Sequence, residues 1–445
     1  MNLHLASVGV LTALLAAVAP APGQVPSAPG LLWVDVAGRP NRQARQALAI
    51  LDEAAADALV PADYESVELR QRGQALGGPQ PPAQEVAARF DAALTASMQR
   101  YLRHLRYGRM ESRSLGLALP PRAGRDDLPA MLREYLDRDG LVELVERMRP
   151  PYAEYAALRG ALPRYRALVS TGGGEPLSAA AQRVRKIELA MERLRWLPDL
   201  GDGRLIMLNI PTFQLQAWDH GPTGAPDLTM KVIVGRAAAS PTPVLNATMA
   251  TVIFRPYWNV PSSILRKELL PVLRKDPGYL RRENMELVRG GEEDAVPVEP
   301  TPEQLVLLER GVLRLRQRPG PRNALGLVKF VLPNEEQVFL HGTPAQRLFA
   351  RSRRDFSHGC VRVEDPAGLA AWVLAGEREW GPTRIQAAML DEAHVSRKIR
   401  VSPPVQVVLL YTTATVLPGS GEVLFVEDIY KLDGALDAAL ARARR

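Results

Sequence analysis

The residues best suited to chemistry lie between Val338 and Glu364. An apolar run, Val338-Phe339-Leu340, delivers His341-Gly342-Thr343, and a spacer of fifteen residues separates His341 from Ser357-His358-Gly359-Cys360-Val361-Arg362. Cys360 is the only cysteine in the chain. A thiolate is a strong nucleophile, but an ordinary thiol is mostly protonated at neutral pH and needs a base or a positive field beside it. This stretch offers two imidazoles, His341 and His358. Gly359, just ahead of the sulfur, lets a carbonyl approach and lets the N–H groups of Gly359 and Cys360 turn towards a developing oxyanion. A lone cysteine is more often an inert, buried small side chain. Here the leader described below marks an exported chain, in which cysteines ordinarily pair, and this one has no partner.

The pattern resembles the L,D-transpeptidases with a YkuD-type catalytic domain, whose signature is a histidine, a spacer of this length and Ser/Thr-His-Gly-Cys. Trp258-Asn259-Val260-Pro261 and the segment from Gly235 to Thr242-Pro243 are similar to the larger members. The resemblance covers Ile187 to Lys431 and, more loosely, the region before it. It implies an α+β multidomain fold: an N-terminal all-helical scaffold, then a mainly-β sandwich or barrel with a helical capping insertion. Cys360 is then the nucleophile and His341 the general acid and base. The family implies that the backbone carbonyl of Gly342 orients the His341 ring and that His358 supports the site. Gly359 would serve the oxyanion hole through its backbone. Arg362, Tyr257, Trp258, Asn259 and Ser357 are the candidate substrate-binding positions. Ser357 is also expected to hold the turn by a local hydrogen bond. Arg362 would either lower the thiol pKa, grip a substrate carboxylate, or form an ion pair with Glu364 or Asp365.

The elements that position these residues follow from the rest of the chain. At 445 residues two or three domains are expected, and 46% hydrophobic residues exclude a disordered chain. The net charge of +7 is carried mostly by arginine and suits an anionic polymer. No basic run interleaved with aromatics occurs, so nucleic acid is not expected as a partner. Leu5 to Ala19 is an apolar stretch too short to span a bilayer comfortably, and it reads as a signal-peptide core within 1–23. Cleavage is expected after Gly23, with an uncleaved anchor as the alternative.

Residues 24–38 are expected as a flexible leader and 39–170 as the helical scaffold. Within it, Gln84 to Arg106 carries Val86, Phe90, Leu94, Met98, Tyr101, Leu102 and Leu105 at helical spacing. Asp126 to Arg149 and Tyr152 to Val169 are further helices, the latter interrupted by Pro163. A glycine-rich hinge follows at 171–177, then a linking helix within 178–203. After Pro198 the period changes to two, and short strands are expected through 204–431, from Arg204–Ile210 to Val423–Val426. The insertion at 261–321 is expected to be a mostly helical cap, and 432–445 a C-terminal tail.

The resemblance implies a periplasmic enzyme of peptidoglycan biosynthesis that needs no cofactor. It would cleave the terminal D-Ala from tetrapeptide stems through a Cys360 acyl-enzyme and form 3→3 cross-links. Carbapenems would acylate the same thiol. Water as acceptor would make an L,D-carboxypeptidase, and cleavage of existing cross-links an endopeptidase. Two readings of other classes stand beside these: a zinc site of His341, His358 and Cys360, and a wall-binding protein without catalysis.

Overall fold

The computed structural model of the chain describes residues 30–117, 119, 126–171, 177–222, 224–276, 278–291, 294–417 and 421–443. The signal-peptide stretch, the first part of the leader and 172–176 of the hinge lie outside the described residues. The described chain divides into two compact units, one of 30–54, 60–101 and 127–145, the other of 55–59, 102–126 and 146–443.

The first unit is helical. Helix Arg42–Asp52 starts at Asn41, whose side chain accepts the Ala44 amide, a capping arrangement that satisfies one unpaired N–H of the first turn. Helix Gln84–Tyr107 follows its apolar stripe, with Phe90, Leu94, Met98 and Tyr101 buried. Val86, expected in that stripe, is instead exposed. The expected helix from Asp126 to Arg149 is two, Leu128–Asp137 and Leu141–Met148, because Asp139 takes a left-handed turn at φ 61. Residues 30–38 also correct the expected leader. Trp33 and Val34 are fully buried, and Asp91 Oδ1 accepts the amides of Leu32 and Trp33 at 2.8 and 2.6 Å. One indole offers enough apolar area to order a segment whose glycine and proline content suggests flexibility.

The second unit is built on a nine-stranded sheet. Its order is Asp355–Ser357, Leu228–Gly235, Val361–Val363, Leu340–His341, Val328–Val331, Leu245–Phe254, Arg397–Leu410, Leu205–Asn209 and Gln214–Trp218. Gln214–Trp218 also pairs with Leu228–Gly235, so the sheet closes into a barrel. Leu340, Phe330, Val361, Val232, Val252 and Val407 fill its core with no exposed surface, each contributing about 1.5–3 kcal/mol on burial. Helix Ala153–Thr171 runs through Pro163 without a break. With helix Leu177–Arg195 it packs Leu158, Leu162, Ile187 and Leu194 on Leu205, Met207 and Val408 of the sheet. The scaffold boundary expected at 170 is thus corrected, since these helices bury their apolar faces within the second unit.

Three further expectations are corrected. Strand Val423–Phe425 does not join the barrel but pairs with Ala414–Val416. The C-terminal tail is a helix, Leu432–Arg442, whose Leu436 and Leu440 enter the barrel core. The cap carries the expected helices, among them Ser262–Ile264, Leu270–Leu273 and Pro302–Glu309, but it is not built of helices alone. Trp258–Asn259, Arg314–Gln317, Met285–Arg289 and Val296–Val298 form an antiparallel sheet in that order. Leu287 and Leu315 of this sheet, with Leu313 just before it, pack against Leu265, Leu269 and Leu273. Strands this short carry too few alternations for periodicity to separate them from helix.

Candidate active site

His341 ends a strand of two residues, and its register determines its company. It pairs with Lys329 on one side and with Arg362 on the other. Residues directly opposite across a sheet share a face, so Lys329, His341 and Arg362 stand in a row while Leu340, Phe330 and Val361 turn into the core. The His341 ring is buried, and its Nδ1 lies 2.6 Å from the Gly342 carbonyl. A carbonyl only accepts, so Nδ1 carries the hydrogen and Nε2 keeps its lone pair. Burial chiefly, with the Arg362 and Lys329 charges, lowers the His341 pKa to about 3, although the Gly342 and Leu325 carbonyls oppose this. The imidazole is neutral at physiological pH and can act as a base.

Cys360 is half-buried, and its thiol points weakly at the Gln337 carbonyl, 3.8 Å away. Burial pushes the thiol pKa up, against the Phe339 N–H and the Lys329 charge. The thiol and the imidazole that line this groove are therefore both uncharged at rest. A thiol in that state attacks only with general-base transfer of its proton, since no thiolate is preformed.

The loop that carries Cys360 is tied down by hydrogen bonds. Ser357 Oγ donates to the Cys360 carbonyl at 2.6 Å and accepts the Gly359 amide at 3.2 Å. Thr242 Oγ1 donates to the Gly359 carbonyl at 2.7 Å and accepts the Gly235 amide at 2.8 Å. The Tyr430 hydroxyl donates to the Gly235 carbonyl at 2.7 Å and accepts the Thr242 amide at 3.1 Å. Thr242 lies in a segment singled out from the sequence; Tyr430 does not, and no local pattern marks it. Ser357 is buried beneath the loop in its expected role in the turn, and it also lines the groove described below. The two expected oxyanion donors differ in their partners. The Gly359 N–H is taken by Ser357, whereas the Cys360 N–H has no acceptor among the described residues.

The remaining site residues fall into place around one groove of about 1030 Å³, which holds His341, His358, Gly359, Cys360 and Arg362. Trp258 and Asn259 of the cap line it as expected. Tyr257 does not: the Arg316 guanidinium lies 4.0 Å over its ring, inside the cap. His358 Nε2 meets Glu268 Oε1 of the cap at 2.6 Å and also the Arg236 guanidinium. Its ring is thus engaged towards the cap. Among the described residues no group of three or more His, Cys, Asp or Glu could hold a metal ion, and the zinc set of His341, His358 and Cys360 is not assembled. Arg362 is largely buried, and its Nε has no partner among the described residues. Glu364 pairs with Lys231 at 3.4 Å and Asp365 accepts the Gly368 amide at 2.8 Å. Neither carboxylate neutralises Arg362.

With this geometry in hand, residues 203–385 match the L,D-transpeptidase catalytic domain (YkuD), and residues 28–162 match the family described as Scaffold domain. A Haemophilus influenzae protein named as a candidate L,D-transpeptidase is 32% identical over 265 residues, 59% of this chain and 51% of that protein. The chain thus spans about half the length of that curated relative. The crystal structure of L,D-transpeptidase 3 from Mycobacterium tuberculosis in complex with a faropenem-derived adduct is 13% identical. It superposes with a TM-score of 0.21 over 48% of this chain and 62% of that one.

Proposed function

We propose that this chain, whose residues 203–385 are a YkuD L,D-transpeptidase catalytic domain joined to a scaffold domain, is a cysteine-dependent peptidoglycan L,D-transpeptidase. The observation that carries the reading is the His341 ring, pinned through Nδ1 to the Gly342 carbonyl and lining the same groove as Cys360.

The donor is a tetrapeptide stem, attacked at the amide between the L-centre of diaminopimelate and the terminal D-Ala. As the sulfur–carbon bond forms, the thiol proton passes to His341 Nε2 and the carbonyl electrons move onto oxygen. The Cys360 N–H donates to that oxyanion. Worth about 2.7–4 kcal/mol in other acyl-transfer sites, such a donor acts only where charge develops. An imidazolium between two cations in a buried site is unfavourable, which is why its folded pKa is so low. It therefore gives the proton up readily to the departing D-Ala amine as the carbon–nitrogen bond breaks. The thioester is then attacked by the side-chain amine of a neighbouring stem. His341 accepts that amine's proton and returns it to the leaving thiolate, and the product is a 3→3 cross-link. Arg362, buried and unneutralised, receives a carboxylate of the stem.

The same chemistry supports acylation of Cys360 by carbapenems, and the apolar stretch from Leu5 to Ala19 supports export to the periplasm. Intact-mass measurement after incubation with a carbapenem tests the nucleophile: one adduct on the wild type and none on Cys360→Ala. Mass spectrometry of muropeptides incubated with the enzyme tests the acceptor. Cross-linked dimers are expected, whereas tripeptides alone would reassign the protein as an L,D-carboxypeptidase.

A further inference from the structure

We propose that Arg314, on the wall the cap contributes to the groove, is a specificity-determining residue that receives a carboxylate remote from the scissile bond, so that the groove selects acidic peptides. Arg314 opens strand Arg314–Gln317, whose next residue, Leu315, is buried in the cap core. Three arginines stand on or beside this strand, and one carboxylate serves two of them. Glu286 accepts from Arg316 at 2.6 Å and from Arg318 at 2.5 Å. Arg314 is the one left over.

Its Nε and Nη2 are buried and have no hydrogen-bond partner among the described residues. A buried charged donor without an acceptor is costly and uncommon, and such groups concentrate where a ligand completes them. The residue lines the same groove as the thiol, beside Val260, whose amide is held by the Leu315 carbonyl at 2.9 Å. Among the described residues lining that groove the only acidic one is Glu336, and no ion pair joins it to Arg314. A planar guanidinium with two adjacent unpartnered donors suits a carboxylate, which it binds side-on through both oxygens once the side chain turns into the groove it lines. Arg362 already serves the end of the groove next to His341. Arg314 thus adds a second cation on the cap wall, and a ligand with two separated carboxylates satisfies both.

This inference rests on the proposed peptide-stem substrate, and its test separates the two. The probes are two synthetic tetrapeptides, L-alanyl-γ-D-glutamyl-diaminopimelyl-D-alanine, one with the glutamyl α-carboxylate free and one with it as the carboxamide. Binding to the full chain is measured calorimetrically in a Cys360→Ala background, with and without Arg314→Ala. The free carboxylate peptide is expected to bind about tenfold more weakly to the Arg314→Ala protein, with Arg314→Lys in between, while the carboxamide binds both proteins alike. Equal weakening of both peptides, or of neither, overturns the proposal, and melting curves check that the variants fold. If the charge-dependent difference holds but the wild type turns over neither peptide, Arg314 retains its role and the transpeptidase reading fails.

Discussion

The Ser357 hydroxyl donates to the carbonyl of Cys360 at 2.6 Å, so the residue three places before the thiol holds the backbone that carries it. The same oxygen accepts the Gly359 amide. Those two hydrogen bonds occupy the Gly359 N–H and leave the Cys360 N–H without an acceptor among the described residues. Ser357→Ala removes both contacts in a buried loop, at about 1–3 kcal/mol. Because small displacements of a reacting group cost up to about a hundredfold in rate, kcat is expected to fall by about tenfold to a hundredfold while KM changes little. Acylation kinetics with a carbapenem, followed by the mass of the adduct, read this out. An unchanged rate would falsify the positioning role.

Two glycines of the same network fail for different reasons when replaced. At Gly359, φ is 114 and a Cβ would meet only the Ser240 carbonyl, at 3.9 Å. There is space, but the backbone conformation is one that side chains avoid, so Gly359→Ala is expected to cost about 1–3 kcal/mol through strain. At Gly235 a Cβ would lie 2.0 Å from the Ser240 carbonyl. Gly235→Ala must push the backbone apart and is expected to lower the melting temperature further than Gly359→Ala. Scanning calorimetry of the two variants orders them.

The pH dependence of stability follows from His341. Its ordinary pKa of 6.5 falls to about 3 in the folded chain. Between those values the unfolded chain binds the proton and the folded chain does not. Stability therefore rises with pH across that window and is fully present above it. The His341 contribution, a few kcal/mol, is expected to be lost as pH falls from 6.5 towards 3. Urea midpoints measured from pH 7.5 to pH 4 are expected to drop more steeply for wild type than for His341→Gln. Parallel profiles would rule out the buried neutral ring.

The two histidines are expected to separate in kinetics. His341 is the buried, neutral ring, and His341→Asn is expected to reduce kcat/KM by at least about a thousandfold. His358 is engaged by Glu268 and Arg236 at the rim, and His358→Asn is expected to reduce it by about tenfold or less. Single-turnover acylation rates decide the order, and equal losses would give His358 a place in the proton transfer.

Much of this protein was legible in its residues alone. The order of chemical types from His341 to Cys360, the delivery of His341 by an apolar strand, the change from helical to alternating period after Pro198 and the stripe of helix Gln84–Tyr107 are local patterns, and local patterns survive in one dimension. What the sequence could not decide was which distant groups meet. Lys329, His341 and Arg362 stand in a row only because three strands align in register. Thr242 and Tyr430 reach the Gly359 loop only through barrel closure and the chain beyond it. The same holds for which arginine goes unpaired: Glu286 satisfies Arg316 and Arg318, and only the cap's folded sheet leaves Arg314 facing the groove. Charge, burial and hydrogen bonding depend on distances between residues far apart in the chain, and those distances exist only once the tertiary structure has formed.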